Sequence, residues 1–446
     1  MAATKKPQGI RNALRLATCT LLSSAAMNTQ AEEEEKDWLF DGAVLHYSEE
    51  DRVQVLEPVF SFRKYKQFDE YIEYKLTIDA MTGSSPNGAT PSSVPQTFTG
   101  SSGTSGYSVP ADVTPMRDFD DTRLAFNVNS ETPLSNVLRR SAGLALSLEQ
   151  DYGSFGYNLV YSKDVNDKHT TLTGGAGISL DLVYPDGGAP DPLTNVNDPA
   201  NQQGGEGEDD DDEHEGGDDF ESEFKGMFDV MVGVTQVVNR YTLMQLNYSH
   251  GFIRGYLTDP YKLVSVVDSA SGLPAPTSPT DNNGIYLTEK RPDQRDTNSI
   301  YWKSVVSIFG DVFRVSYRYF WDDWGIKSNT IDIKYRLGLW GGFYLQPHYR
   351  YYTQTAADFY RHSLRDNEPT PDYVSADYRL GEFTGKTVGL KLGVDFSNST
   401  KFDIRFEKYT QTGESYPDDA VGIQKNYDLY PTLEATIFQI SFSKYF

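Results

Sequence analysis

Apolar and polar residues alternate along most of the chain, from about residue 41 to Phe446. The clearest stretch runs from Lys386 to Phe396. Val388, Leu390, Leu392, Val394 and Phe396 fall on one face, and Thr387, Gly389, Lys391, Gly393 and Asp395 on the other. Successive residues of a strand point to opposite sides, so a period of two predicts a strand with one greasy and one wet face. The short polar segment Ser397-Asn398-Ser399-Thr400 leads into a second strand, where Phe402, Ile404 and Phe406 oppose Asp403, Arg405 and Glu407. The two read as a hairpin. The same pattern sets Ile72, Tyr74, Leu76 and Ile78 against Glu73, Lys75, Thr77 and Asp79. It sets Phe313, Val315, Tyr317, Tyr319 and Trp321 against Arg314, Ser316 and Arg318, and Ile331, Ile333, Tyr335 and Leu337 against Asp332, Lys334 and Arg336. Helical periodicity is absent. The chain closes on one more such strand, with Phe438, Ile440, Phe442 and Phe446 opposite Gln439, Ser441 and Ser443.

Connections between these segments fall into two classes. Short ones lie near residues 65–68, 164–167, 239–240, 322–325 and 397–400; long ones span about 82–118, 184–221, 256–295, 355–383 and 412–432. The long ones are rich in Gly, Ser, Thr, Pro, Asn and acid, a composition that does not order itself alone. Outer-membrane barrels keep short turns in the periplasm and long loops outside. An even number of strands must then separate successive long loops. We count three strands before the first loop, starting near 41–48. Four, two, four and two follow, and then the terminal one. The total is an even, closed antiparallel barrel of about sixteen strands, with fourteen or eighteen as alternatives. The terminal strand pairs with the N-terminal one to close it.

Alternation alone does not separate a soluble sandwich from a membrane barrel. Three features favour the barrel. Lys5, Lys6, Arg11 and Arg15 precede an apolar, small-residue stretch from Ala13 to Ala26 and the segment Thr29-Gln30-Ala31, which reads as a signal peptide over 1–31. Residues 32–40 would be a periplasmic segment and 41–446 the barrel, with an acidic extracellular loop at about 184–221. The terminal strand resembles the C-terminal signature that the barrel-assembly machinery reads in bacterial outer-membrane proteins, with Phe446 as its last residue and Lys444 as a departure from it. Finally, 30 Tyr and 24 Phe accompany a hydrophobic content of only 38%, as aromatic belts around a wet lumen would produce. The expected location is the outer membrane of a Gram-negative bacterium, among its lipid and lipopolysaccharide.

Charge and cysteine usage narrow the function. The net charge is −24, or −28 once the four basic residues of the signal are removed, which argues against nucleic-acid binding. The single cysteine, Cys19, lies in that signal, so the mature chain needs no disulfide. No cofactor is expected and no enzyme: the six histidines form no metal-ligand spacing. Ser249-His250 and His362-Ser363 are adjacent along strands, which turns their side chains apart. The acidic run that includes Asp209, Asp210, Asp211 and Asp212 offers hard oxygen ligands for divalent ions but no fixed cage. It reads first as a solvated loop, bridged loosely to lipopolysaccharide. Trp321-Asp322-Asp323-Trp324-Gly325 is expected at a periplasmic turn, its indoles anchoring the barrel at the membrane boundary, with Trp302 and Trp340 in the same role. The inward charges Glu73, Lys75, Asp79, Arg314, Arg318, Asp332, Lys334, Arg336, Lys391, Asp395, Asp403, Arg405 and Glu407 read either as a salt-bridge network holding the wall or as a constriction that selects permeants.

Several motifs share a resemblance. They are Asp79-Ala80-Met81-Thr82-Gly83-Ser84-Ser85-Pro86-Asn87-Gly88-Ala89, Gly255-Tyr256-Leu257-Thr258-Asp259-Pro260-Tyr261-Lys262, Glu289-Lys290-Arg291-Pro292-Asp293, Tyr317 to Ile326, and Ser375-Ala376-Asp377-Tyr378-Arg379-Leu380. In this order the chain resembles a domain-of-unknown-function family of Gram-negative outer-membrane β-barrels; the acidic run is outside the pattern. The resemblance implies a barrel whose relatives accompany a small lipoprotein, a thioredoxin-like protein and a flavin transferase, and it assigns no catalytic residue. By the parity argument, four of the motifs meet at one mouth. Lys262, Arg291, Asp293, Asp377 and Arg379 are there as a gate or rim. The expected function is a channel with a charged, partly occluded lumen. The alternatives are an accessory barrel housing a lipoprotein or periplasmic redox protein and, third, a barrel-borne hydrolase.

Overall fold

A computed structural model describes residues 37–66, 70–99, 106–185, 187–198, 222–278, 281–397 and 399–446. Sixteen antiparallel strands close into a barrel. In chain order these are β1 (Trp38–Glu49), β2 (Val53–Tyr65), β3 (Tyr71–Pro86), β4 (Met116–Ser135), β5 (Leu138–Leu148) and β6 (Tyr152–Val165). Next come β7 (Thr170–Val183), β8 (Glu223–Asn239), β9 (Thr242–Gly255), β10 (Gln294–Ile308) and β11 (Asp311–Asp322). The wall finishes with β12 (Lys327–Gly338), β13 (Phe343–Gln354), β14 (Phe383–Ser397), β15 (Thr400–Gly413) and β16 (Leu433–Tyr445). Each strand pairs with its sequence neighbour, and β1 pairs with β16 from Leu39↔Tyr445 to Glu49↔Ala435. The strand count and the seam are as the alternation predicts. The first strand begins at Trp38, three residues before the expected start.

The shortest wall strand has 11 residues, long enough to cross a hydrocarbon layer. The outer face over β4–β8 carries Leu124, Phe126, Leu146, Phe155, Ile178, Leu180 and Phe228, all exposed. A soluble monomer does not tolerate so continuous an apolar band; a barrel facing lipid requires one. No helix among the described residues is long and apolar enough to cross a membrane.

Two expectations need correction. Short connections occur at both ends, not one. Residues 50–52, 149–151 and 323–326 join strands at the end that carries the long loops. The segment 323–326 is the second of three turns between two long loops, so parity places it there. Trp324 is accordingly no periplasmic anchor; it is buried among Ile326, Ala357, Phe359 and Leu380. Trp340, in the turn at the opposite end, is exposed. The second correction concerns order in the loops. Described parts of them form secondary structure of their own: a hairpin of Gln96–Thr99 with Gly106–Val109, and a small sheet of Leu263–Val267 with Tyr286–Thr288 and Leu364–Arg365. No single loop could bury enough apolar surface. Several together do, and Phe98, Val264, Val267 and Val374 are fully buried between them.

Candidate functional site

The long loops build a cap over one end of the barrel. Its parts reach in from around the ring. Tyr378, after β13, accepts a hydrogen bond from Arg52 Nη2 in the β1–β2 turn at 3.2 Å. Tyr261, after β9, donates to Asp151 in the β5–β6 turn at 3.2 Å. Asn197, after β7, donates to the Thr97 carbonyl at 2.9 Å. Loops four strands apart around the ring thus touch over the mouth.

At the meeting point lies a buried ion cluster. β9 ends at Gly255, whose φ of +107 only glycine adopts without strain. The chain then turns through Asp259-Pro260, and the Lys262 N–H donates to the Asp259 carbonyl at 3.2 Å. This turn points Lys262 Nζ at the Pro86 carbonyl at the end of β3. Glu289 Oε1 accepts the Asp259 N–H at 2.7 Å and holds Arg291 Nε at 2.6 Å; Ser375 Oγ donates to its other oxygen. Arg291 Nη2 reaches Asp377 at 2.9 Å. Arg379 binds Asp259 at 2.7 Å and Asp377 through Nε at 2.8 Å. Lys262, Arg291 and Arg379 thereby balance Asp259, Glu289 and Asp377. Lys262, Glu289 and Asp377 are at most 2% exposed. An isolated ion there would cost several kcal/mol, so the cluster is tolerable only while all its members are in place.

The ionisation of two members follows. Burial alone would raise the Asp377 carboxyl, but Arg379, Lys262 and Arg291 hold it well below the usual carboxylate range. Burial pulls the Lys262 ammonium down to about 8, against the opposite pull of Asp377. The depressed carboxyl stabilises the closed cap above its ordinary pKa of about 4 and stops doing so as the pH falls. The depressed ammonium acts in the same direction at higher pH: the closed cap gains as pH rises from about 8 towards the ordinary lysine value of about 10.5. Acid is therefore the weak side. Amide hydrogen exchange in residues 256–263 and 374–381 should be faster at pH 3 than at pH 7, after correction for intrinsic rates. Equal protection at both would rule out Asp377 as a stabilising charge.

Of the predicted rim residues, the structure unites Lys262, Arg291, Asp377 and Arg379. Asp293 is not with them; its side chain is exposed and its carbonyl accepts the Gly255 N–H at 2.8 Å. Asp259, Glu289 and Ser375 join them from the motifs Gly255–Lys262, Glu289–Asp293 and Ser375–Leu380, beyond the rim residues expected from the sequence. Gly83 in the first motif has φ +136, and a Cβ there would collide with the Arg52 carbonyl.

Cross-strand register puts the thirteen charges on the face opposite the exposed apolar residues of the same strands. Many are paired. Arg336 reaches Asp395 at 2.7 Å and Lys391 reaches Asp403 at 2.9 Å. His348 bridges Asp332 at 2.8 Å and Glu407 at 2.7 Å, and Arg405 hydrogen-bonds Gln439. Arg336–Asp395 and His348–Glu407 each skip an intervening strand, so they cross the concave side. On the other wall Arg63 closes on Glu73 and Arg123 on Asp79. Alternation placed these residues; their partners Arg63, Arg123 and His348 carry no local signal. Among the described residues no serine hydroxyl hydrogen-bonds a histidine; His250 is held by Asn298 and His362 by Tyr360. The signal segment 1–31 and the carboxylates Asp209, Asp210, Asp211 and Asp212 lie outside the described residues.

A family model described as "Protein of unknown function (DUF3570)" matches residues 11–444. The chain belongs to the DUF3570 family. No curated protein matches it. Among solved structures, the Pseudomonas putida toluene transporter TodX is 8% identical, with 93% of this chain and 91% of that chain covered and a TM-score of 0.39. The outer membrane protein opdK from Pseudomonas aeruginosa is 9% identical, with 91% and 98% covered and a TM-score of 0.38. A mutant ferric enterobactin receptor (PfeA) from Pseudomonas aeruginosa is 9% identical with a TM-score of 0.39; 92% of this DUF3570 chain covers 60% of that one. At these values the likeness is one of fold alone.

Proposed function

We propose that the protein is an outer-membrane channel whose extracellular mouth is closed by the folded cap and whose lumen is lined by charge. The observation that carries this reading is the buried ion cluster spanning the mouth. Sixteen strands leave a lumen wider than side chains alone fill. A rigid wall needs no six-ion knot across its opening, whereas a door needs a latch. Loop-on-loop contacts held by ions are costly to break singly and simple to release together, because the charges are welcome in water once exposed. In this orientation the short turn at 397–400 and Phe446 face the periplasm, and Lys444 stands beside Phe446, its Nζ 4.8 Å from the ring centroid.

The test is conductance in a planar bilayer. Deleting residues 289–293 removes Glu289 and Arg291, and should turn a small or rarely open conductance into a larger, persistent one. Silence in both forms, with a lipoprotein co-purifying, would instead favour an accessory barrel; equal conductance in both would remove the latch.

A further inference from the structure

The lumen network is incomplete on one wall. Arg314 on β11 sits directly across from Lys334 on β12. Lys303 on β10 pairs with Ser316, one diagonal step from Arg314. Arg318, further along β11, sits across from Tyr301 on β10. Of these cations only Lys334 has a carboxylate, Asp332 at 3.4 Å, and His348 holds that same group more closely. Arg314 makes one long hydrogen bond, to Gln346 at 3.5 Å. Arg318 lies over the Phe320 ring at 5.5 Å, and its buried Nε has no acceptor. Among the described residues, no carboxylate pairs with Lys303, Arg314 or Arg318. Arg63 of β2 and Arg123 of β4, in contrast, are each closed on an acid.

Like charges placed directly opposite on neighbouring strands repel, and half-buried cations need a counter-charge. In a chain of net charge −24, carboxylates to supply one are plentiful. Yet the carboxylate that the register sets beside this patch, Asp332 across from Ser316, is already shared by Lys334 and His348, which leaves four cations short of negative charge from the protein itself. Guanidinium forks match the oxygens of carboxylates and phosphates, and Tyr301 adds a hydroxyl on the same face.

We infer that Lys303, Arg314 and Arg318 form a lumen site for a small anionic solute bearing carboxylate or phosphate oxygens, and that such anions are the permeants. The second half rests on the channel reading above. Two measurements on the full-length protein in detergent or bilayer keep the two apart. By calorimetry, pyrophosphate should bind saturably, and Arg314→Gln/Arg318→Gln should weaken it roughly ten-fold or more, with Arg318→Lys alone in between. Citrate in its place tells carboxylate from phosphate; binding of either supports the site. In a KCl gradient, the wild-type reversal potential should show anion preference that the double variant shifts towards cations. Absence of binding by both probes, or equal binding in the double variant, overturns the site. Binding lost in the double variant with no conductance in any form keeps the site and removes the channel. Conductance with a cation preference that the double variant leaves unchanged keeps the channel and overturns the anion permeant.

Discussion

Replacing Arg379 with alanine should destabilise the closed cap by about 3–5 kcal/mol, the cost of leaving a buried partner uncompensated. Among the described residues, Arg379 is the one cation that touches both Asp259 and Asp377. It therefore ties the loop after β9 to the loop after β13. Without it, the three carboxylates Asp259, Glu289 and Asp377 remain inside with only Arg291 and Lys262 to oppose them. The barrel wall should survive, since none of its ladder hydrogen bonds involves these side chains. Hydrogen exchange should then separate the two parts, with protection lost in residues 256–263 and 374–381 and retained in β1–β16. Removing Asp377 as well, in Arg379→Ala/Asp377→Ala, should return part of the loss, because one stranded charge goes with it. A single variant with unchanged cap protection would mean that the ions decorate the cap and do not hold it.

Trp324→Ala should cost a similar amount, about 3–5 kcal/mol, for a different reason. The indole is buried, edge-on to Phe359 with ring centroids 5.1 Å apart. Arg295 lies 4.4 Å from the centroid on its face, and its Nε1 donates to the Gln294 carbonyl at 2.8 Å. Truncation leaves a cavity under Phe359 and Leu380 and an orphaned carbonyl at the start of β10. The loop after β13 should loosen, again visible by hydrogen exchange, and the cap should open more often in bilayer recordings. Tryptophan fluorescence offers an independent check, with the variant losing a component that quenchers do not reach. An indole serving as a membrane-boundary anchor would behave differently: its loss would leave the cap untouched.

The misplacement of that tryptophan shows where reading a chain runs out. A tight turn rich in Trp, Asp and Gly looks the same at either end of a barrel. Its side depends on how many strands precede it: with four strands between the flanking long loops, the middle turn falls on the loop side, and local composition carries no trace of that. The cap was hidden for a related reason. Each loop alone is Gly-, Ser- and Pro-rich and has little to bury. The cores of Phe98 with Tyr286 and of Val264 with Val374 exist only because separate loops are brought to one mouth. The gate residues were half visible. Lys262, Arg291, Asp377 and Arg379 stood in quoted motifs near predicted loop ends, but that Glu289 and Asp259 complete the charge balance, and that Asp293 turns away, follows from contacts across tens of residues.

Alternation along the chain determined by itself the strands, their inward and outward faces, the even count and the pairing of first strand with last. These are consequences of a two-residue period and of closure, and both are properties of the one-dimensional pattern. Only the tertiary structure decided which charges neutralise each other and which are left over. Ion pairing depends on register, on strands that are not neighbours in sequence, and on loops folding over one another. Arg123 finds Asp79 and Arg379 finds Asp259, while Lys303, Arg314 and Arg318 find no acid. That difference, invisible in composition, arises because closing the barrel brings side chains together across distances the chain itself does not encode locally.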